Sequence, residues 1–206
     1  MRVLTFDCET TGLEVNTNNL LAETNDYPLS IAAFLYDMDK IGETFELMKV
    51  EPDSMLACYF NYGIDNKPDA QRINGITREK LDTFGLSPHE ILPLFAEFLD
   101  KADRIVGHNV KYDADIMRIA FARAGWEGDP FEGRDLYCTC REARTVCKIP
   151  KYRMDHAEDW KLPKLIEAYK FFFGDGFNGA HGAVNDTKAA FDVYLALQGK
   201  KAKVQG

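Results

Sequence analysis

No stretch of this 206-residue sequence approaches the ~18 consecutive apolar residues that cross a bilayer. The apolar start, Met-Arg-Val-Leu-Thr-Phe, is short and closes at Asp7, unlike a secretory leader. A cytoplasmic protein with no membrane partner is therefore expected. Cysteine is scarce and odd in number, at five, which does not read as a disulfide framework. Cys138, Cys140 and Cys147 with His156 make a poor zinc set, because Cys-x-Cys is not the usual two-to-four-residue spacing. Reduced, structural thiols are expected. Positive charge is also short: 25 Lys and Arg against 33 Asp and Glu leave a net charge of −8. Taken alone, that argues against a protein that coats long duplexes, which needs a broad basic face. It leaves room for an enzyme that grips a few nucleotides through metal ions. There is no Gly-x-Ser-x-Gly or His-Glu-x-x-His motif, no repeat and no low-complexity segment.

What is present is a sequence 46% apolar, enough for the core of one domain. The pattern predicts strands at 2–8, 30–36 and 43–50, a three-strand meander with a polar, Asn-rich loop at 16–28. Thr77 starts a helix running to about Phe84. Ser87-Pro88-His89-Glu90 carries a capping serine, Pro at the first helical position and Glu three residues on. Short strands follow at 104–107 and 134–138, with helices at 113–124, 163–172 and 186–198. Strands first, then helices mixed with strands, predict an α/β fold: a mixed sheet flanked by helices. The tail from Gly199 is expected to be frayed.

Three acidic clusters stand out. Asp7 and Glu9 lie two apart on a strand and so project together. Close like charges repel, and burying them is costly unless a divalent cation compensates. The other reading is a solvated strand end. Asp113 follows Val106-Gly107-His108-Asn109-Val110-Lys111-Tyr112 and starts a helix, where the helix dipole alone favours an acid. It shares a helical face with Ile116 and Ala120, whereas Asp115 points elsewhere. Asp186 follows His181-Gly182-Ala183-Val184-Asn185 at the start of a further helix, where an acid can also serve as a cap. Taken together, four carboxylates and one histidine are the set that a two-metal phosphodiesterase needs.

Phe-Asp-Cys-Glu-Thr-Thr-Gly-Leu at 6–13, His-Asn-Val-Lys-Tyr-Asp at 108–113 and His-Gly-Ala-Val-Asn-Asp at 181–186 resemble, in order, the three motifs of the DEDDh (DnaQ-like) 3′→5′ exonucleases. Asn74-Gly75-Ile76-Thr77 is similar to the family's His-Gly-Ile-Thr, with Asn in place of His. The resemblance implies a ribonuclease H-like fold with a five-stranded mixed sheet, one domain over residues 1–198 and a tail at 199–206. It implies two Mg²⁺ or Mn²⁺ ions. Asp7 would bridge both, Glu9 and Asp186 would complete the site of the attacking water, and Asp113 would serve the second. It makes His181 the general base and places Thr10, Leu13 and Asn109 against substrate, with Leu13 as a wedge between the last two bases.

The expected partner is a single-stranded or frayed 3′ end, DNA ahead of RNA, with a polymerase or repair complex as a further partner and a homodimer as an option. RNA trimming and a non-catalytic binding module are the alternatives. The basic run Arg141, Arg144, Lys148, Lys151 and Arg153, with Tyr152 among them, is either a guide for the strand or a solvated loop. Phe171-Phe172-Phe173 is read as core.

Overall fold

Val3-Leu4-Thr5-Phe6 is a run of strand-forming residues without alternation, as befits a strand covered on both faces. It becomes β1 (Arg2–Thr10), and Val3, Leu4, Thr5 and Phe6 are all fully buried. The computed structural model describes residues 1–47, 49–151 and 160–203. β1 pairs antiparallel with β2 (Pro28–Asp37), which pairs antiparallel with β4 (Ser54–Phe60). On its other side β1 pairs parallel with β6 (Arg104–Gly107), and β6 with β7 (Leu136–Cys138). β5 (Gly85–Leu86) adds a two-residue sixth strand beside β4, where five strands were expected. The expected α/β architecture with a mixed sheet between helices is observed.

The meander's third strand lies later than predicted. Among the described residues of the expected 43–50 strand only Thr44–Glu46 forms a strand, β3, and it joins no part of the main sheet. It pairs parallel with β8 (Lys201–Lys203), so residues 201–203 of the tail expected to be frayed return to the body.

Helices cover both faces. α3 (Pro88–Lys101) has the expected capping box: His89 N–H donates to Ser87 Oγ at 3.2 Å, and Ser87 N–H to Glu90 Oε2 at 2.9 Å. With α4 (Val110–Arg123) it packs Phe95, Leu99, Met117 and Phe121 against Leu4 and Phe6 of β1. The rings of Phe6 and Phe95 lie 5.2 Å apart. Each such fully buried aromatic contributes roughly 2–3 kcal/mol. The opposite face receives α7 (Ala183–Leu197), whose Phe191 and Tyr194 meet Val3, Phe34 and Tyr36. α5 (Thr139–Cys147) and α6 (Leu165–Phe173) pack outside α7 through Ala143, Ala168 and Tyr169. Neither α5 nor α1 (Pro68–Asn74) was expected; α2 (Arg78–Phe84) is capped by Thr77 as expected. Phe172 and Phe173 pack as expected, but Phe171 is exposed.

Candidate active site

β1 alternates its side chains between the two sheet faces. Leu4, Phe6 and Cys8 enter the core with α3 and α4. Asp7 and Glu9 therefore turn the other way, with Val3, toward α7. Asp186 stands in the first turn of α7, where the helix dipole favours an acid. Thr187 beside it donates to the Ala32 carbonyl at 3.2 Å and ties this helix start to β2. Asp7, Glu9 and Asp186 each bring a carboxylate oxygen within 4.8 Å of the others. Asp113, in the first turn of α4, is buried behind them, and its Oδ1 accepts the Cys8 N–H at 3.1 Å. It neighbours the three without joining the convergent set. Asp115 is held elsewhere by Lys111 and Arg118.

The cluster is electrostatically uncomfortable. Burial first, then Asp113, Asp186 and Glu9, push Asp7 well above the usual carboxylate range. Burial and Asp186 push Glu9 up to about 7. Burial also raises Asp113, against the opposing bond from Cys8, and raises Asp186, against His181. Asp186 Oδ2 accepts the His181 N–H at 3.1 Å, whereas its Oδ1 is buried without a partner. An unpartnered carboxylate oxygen among three further acids suits a hard divalent cation, and an all-oxygen, anionic donor set suits Mg²⁺ or Mn²⁺. Cys138, Cys140 and Cys147 are free thiols, and among the described residues no three-donor group includes a cysteine. His156 lies outside the described residues.

His181 is exposed, at φ 67°, on the glycine-rich loop that leads into α7. Asn109 caps α4 from a left-handed conformation, at φ 73°, and its side chain makes no capping bond. Neighbouring His108 is structural: its ring nitrogens meet Thr139 Oγ1 and the Pro163 carbonyl, both at 2.9 Å. Leu13 is 84% exposed. With Glu9, Thr10, Lys67, Ile73 and Asn74 it lines a cavity of about 710 Å³ opening beside the acids. In the basic run, Arg141 and Arg144 lie on α5, and Arg144 donates to the Trp160 carbonyl. Tyr152 and Arg153 lie outside the described residues.

Three residues with no role assigned from the sequence shape this rim. Asp26, fully buried, accepts from Thr11 Oγ1 at 2.6 Å and Glu14 N–H at 2.7 Å, and pairs with Lys67 at 2.7 Å. The Gly12 backbone lies so close that a Cβ there would stand 2.6 Å from Asp26 Oδ2. Tyr112, inside the second motif, bonds its hydroxyl to Thr10 Oγ1 at 3.0 Å and to the Gly12 carbonyl. Asn74 donates to the Thr10 carbonyl at 3.2 Å. The 16–28 loop is thus a brace, and Arg123 fastens it through the carbonyls of Ala22, Asn25 and Asp26. No local signal marks Asp26, one acid in a polar loop; Tyr112 lies within the second motif and Asn74 within Asn74-Gly75-Ile76-Thr77, but neither motif gave these two residues a role.

The family model for RNase T, described as exonuclease, matches residues 4–194. No curated protein matches by sequence. Among solved structures, exonuclease I of Methylocaldum szegediense superposes with a TM-score of 0.68 at 18% identity, over 96% of this chain and 40% of that one. Escherichia coli exonuclease I in complex with a dT13 oligonucleotide gives 0.68 at 19%, over 97% and 41%. The same protein with a 5cy-dA13 oligonucleotide gives 0.66 at 20%, over 97% and 40%. The chain therefore spans about two fifths of the length of these proteins, and the likeness is one of fold.

Proposed function

Because the chain belongs to the RNase T family of exonucleases, in its DEDDh (DnaQ-like) branch with a ribonuclease H-like fold, we propose that it removes 5′-mononucleotides from the 3′ end of single-stranded DNA. The observation that carries this reading is the convergence of Asp7, Glu9 and Asp186, with Asp113 behind them. Asp7, Glu9 and Asp186 would hold one divalent cation, and Asp7 with Asp113 a second. When bound, such cations neutralise the scissile phosphate, activate water and stabilise the leaving oxygen.

The side chains do the rest. His181 takes the proton of the attacking water on an imidazole nitrogen, acting as the general base. Its backbone bond to Asp186 keeps its loop beside the acids, and its exposure lets the ring swing to the water. The Thr10 backbone and Asn109 orient the terminal sugar. Leu13, projecting into solvent at the mouth of the cavity, separates the last bases. A paired, stacked end cannot deliver its last nucleotide to acids this recessed, which favours a single strand. The choice of DNA draws support from the exonuclease I complexes with dT13 and dA13 oligonucleotides.

The test uses matched DNA and RNA strands labelled at the 5′ end, with Mg²⁺. A descending ladder, faster on DNA and absent with Asp7→Ala, is expected. Faster loss of RNA would move the assignment to RNA trimming. Immediate release of labelled mononucleotide would reverse the direction.

A further inference from the structure

Thr10 ends β1 at an irregularity in register: Glu9 faces Ser30, but Thr10 faces Pro28. Proline has no N–H to give across the ladder. A carbonyl left without a donor in a partly buried place is costly. Asn74, the last residue of α1, meets that need from 64 residues away, its Nδ2 donating to the Thr10 oxygen at 3.2 Å. The amide cannot turn over. Its Oδ1 already receives the Ile76 N–H at 3.0 Å and Asn66 Nδ2 at 2.9 Å. Asn66 is itself buried and fixed, donating also to the Ile76 carbonyl at 3.0 Å. Gly75, at φ 65°, allows the chain to double back so that Ile76 reaches the Asn74 side chain.

We propose that Asn74 is a positioning residue for the Glu9 carboxylate and so sets the affinity of the acidic cluster for a divalent cation, an inference that rests on reading that cluster as a cation site. Asn74 makes no bond to an acid. It holds the carbonyl of the residue that follows Glu9, at the point where the register of the β-ladder shifts. If Thr10 shifts, Glu9 swings away from Asp7 and Asp186. Tyr112 also steadies Thr10, so the loss of Asn74 should weaken the site without abolishing it. The low end of the effect found for residues supporting metal ligands, about tenfold, applies.

The test is an electron paramagnetic resonance titration of Mn²⁺ into the whole chain, without nucleic acid. Asn74→Asp keeps shape and the acceptor for Ile76 and Asn66, but turns the donor facing Thr10 into an acceptor. Added negative charge alone would tighten Mn²⁺ binding; a displaced Glu9 weakens it, by about tenfold. Asn66→Ala, which frees the amide to rotate without touching β1, should weaken binding in the same direction and less. Asn74→His restores a donor and should bind nearly as wild type. If Asn74→Asp and Asn66→Ala bind Mn²⁺ as tightly as wild type, the inference is overturned, even if the KM for an oligonucleotide rises. If Asn74→Asp loses its fold by circular dichroism, Asn66→Ala decides alone. Wild type that binds no Mn²⁺, or whose binding survives Asp7→Ala, would fault the cation site itself.

Discussion

Glu9→Gln should stabilise the metal-free protein at pH 8 and fail to do so at pH 4. Burial and Asp186 carry the Glu9 carboxyl from 4.5 in the unfolded chain to about 7 in the fold. The folded form therefore binds this proton more tightly than the unfolded form. Stability from this group is fully present below about pH 4.5 and is lost as pH rises through about 7. At 1.36 kcal/mol per pH unit, the loss is about 3 kcal/mol. Glutamine keeps the shape without the charge and should recover about 2 kcal/mol at pH 8. A divalent cation acts in the opposite sense: at a hundred times its Kd it stabilises the folded wild type by about 2.7 kcal/mol. Urea unfolding at pH 4, 6 and 8, in EDTA and in Mg²⁺, reads all of this. The variant should exceed wild type in EDTA at pH 8, match it at pH 4, and fall behind in Mg²⁺. Wild-type stability that is flat across pH in EDTA, or a variant weaker than wild type at pH 8 without metal, would refute the reasoning.

Other perturbations separate the brace, the base and the wedge. Asp26→Ala leaves the Thr11 hydroxyl and the Glu14 N–H unpaired, and should cost about 2–3 kcal/mol in urea unfolding. His181→Ala should leave Mn²⁺ affinity and unfolding midpoint unchanged while kcat at pH 7 falls about a hundredfold; normal turnover would require another base. Leu13→Ala, at an exposed position, should leave stability within error and raise KM about fivefold, the loss of one weak stacking contact.

The acids were legible because their signals are local. Asp7 and Glu9 follow from the two-residue period of a strand, and Asp113 from the helical face it shares with Ile116 and Ala120, all three buried. The third strand was not legible. Ser-Met-Leu-Ala-Cys-Tyr-Phe at 54–60 has no β-branched residue, yet it is drawn into the sheet by six paired positions on β2. Phe-Glu-Leu-Met-Lys-Val at 45–50 alternates more strongly, yet among its described residues only Phe45 and Glu46 pair, with β8. α1 was hidden because it buries no residue, and α5 because Thr, Cys and Val make poor helix formers with only Thr139, Cys140 and Ala143 facing inward. The supports of the site were hidden for a different reason. Asp26 meets Thr11, and Asn74 meets Thr10, only after the chain folds. No spacing rule encodes a contact made across 64 residues.

The central claim is that Asp7, Glu9 and Asp186 form a cation-dependent hydrolytic site at a nucleic-acid 3′ end. A time course on a 5′-labelled single strand, with the 3′ hydroxyl either free or capped, tests it most directly. With Mg²⁺ the free strand should shorten one nucleotide at a time, the capped strand should persist, and EDTA or Asp186→Asn should stop the reaction. Shortening that proceeds in EDTA, or that survives Asp186→Asn unchanged, would contradict it.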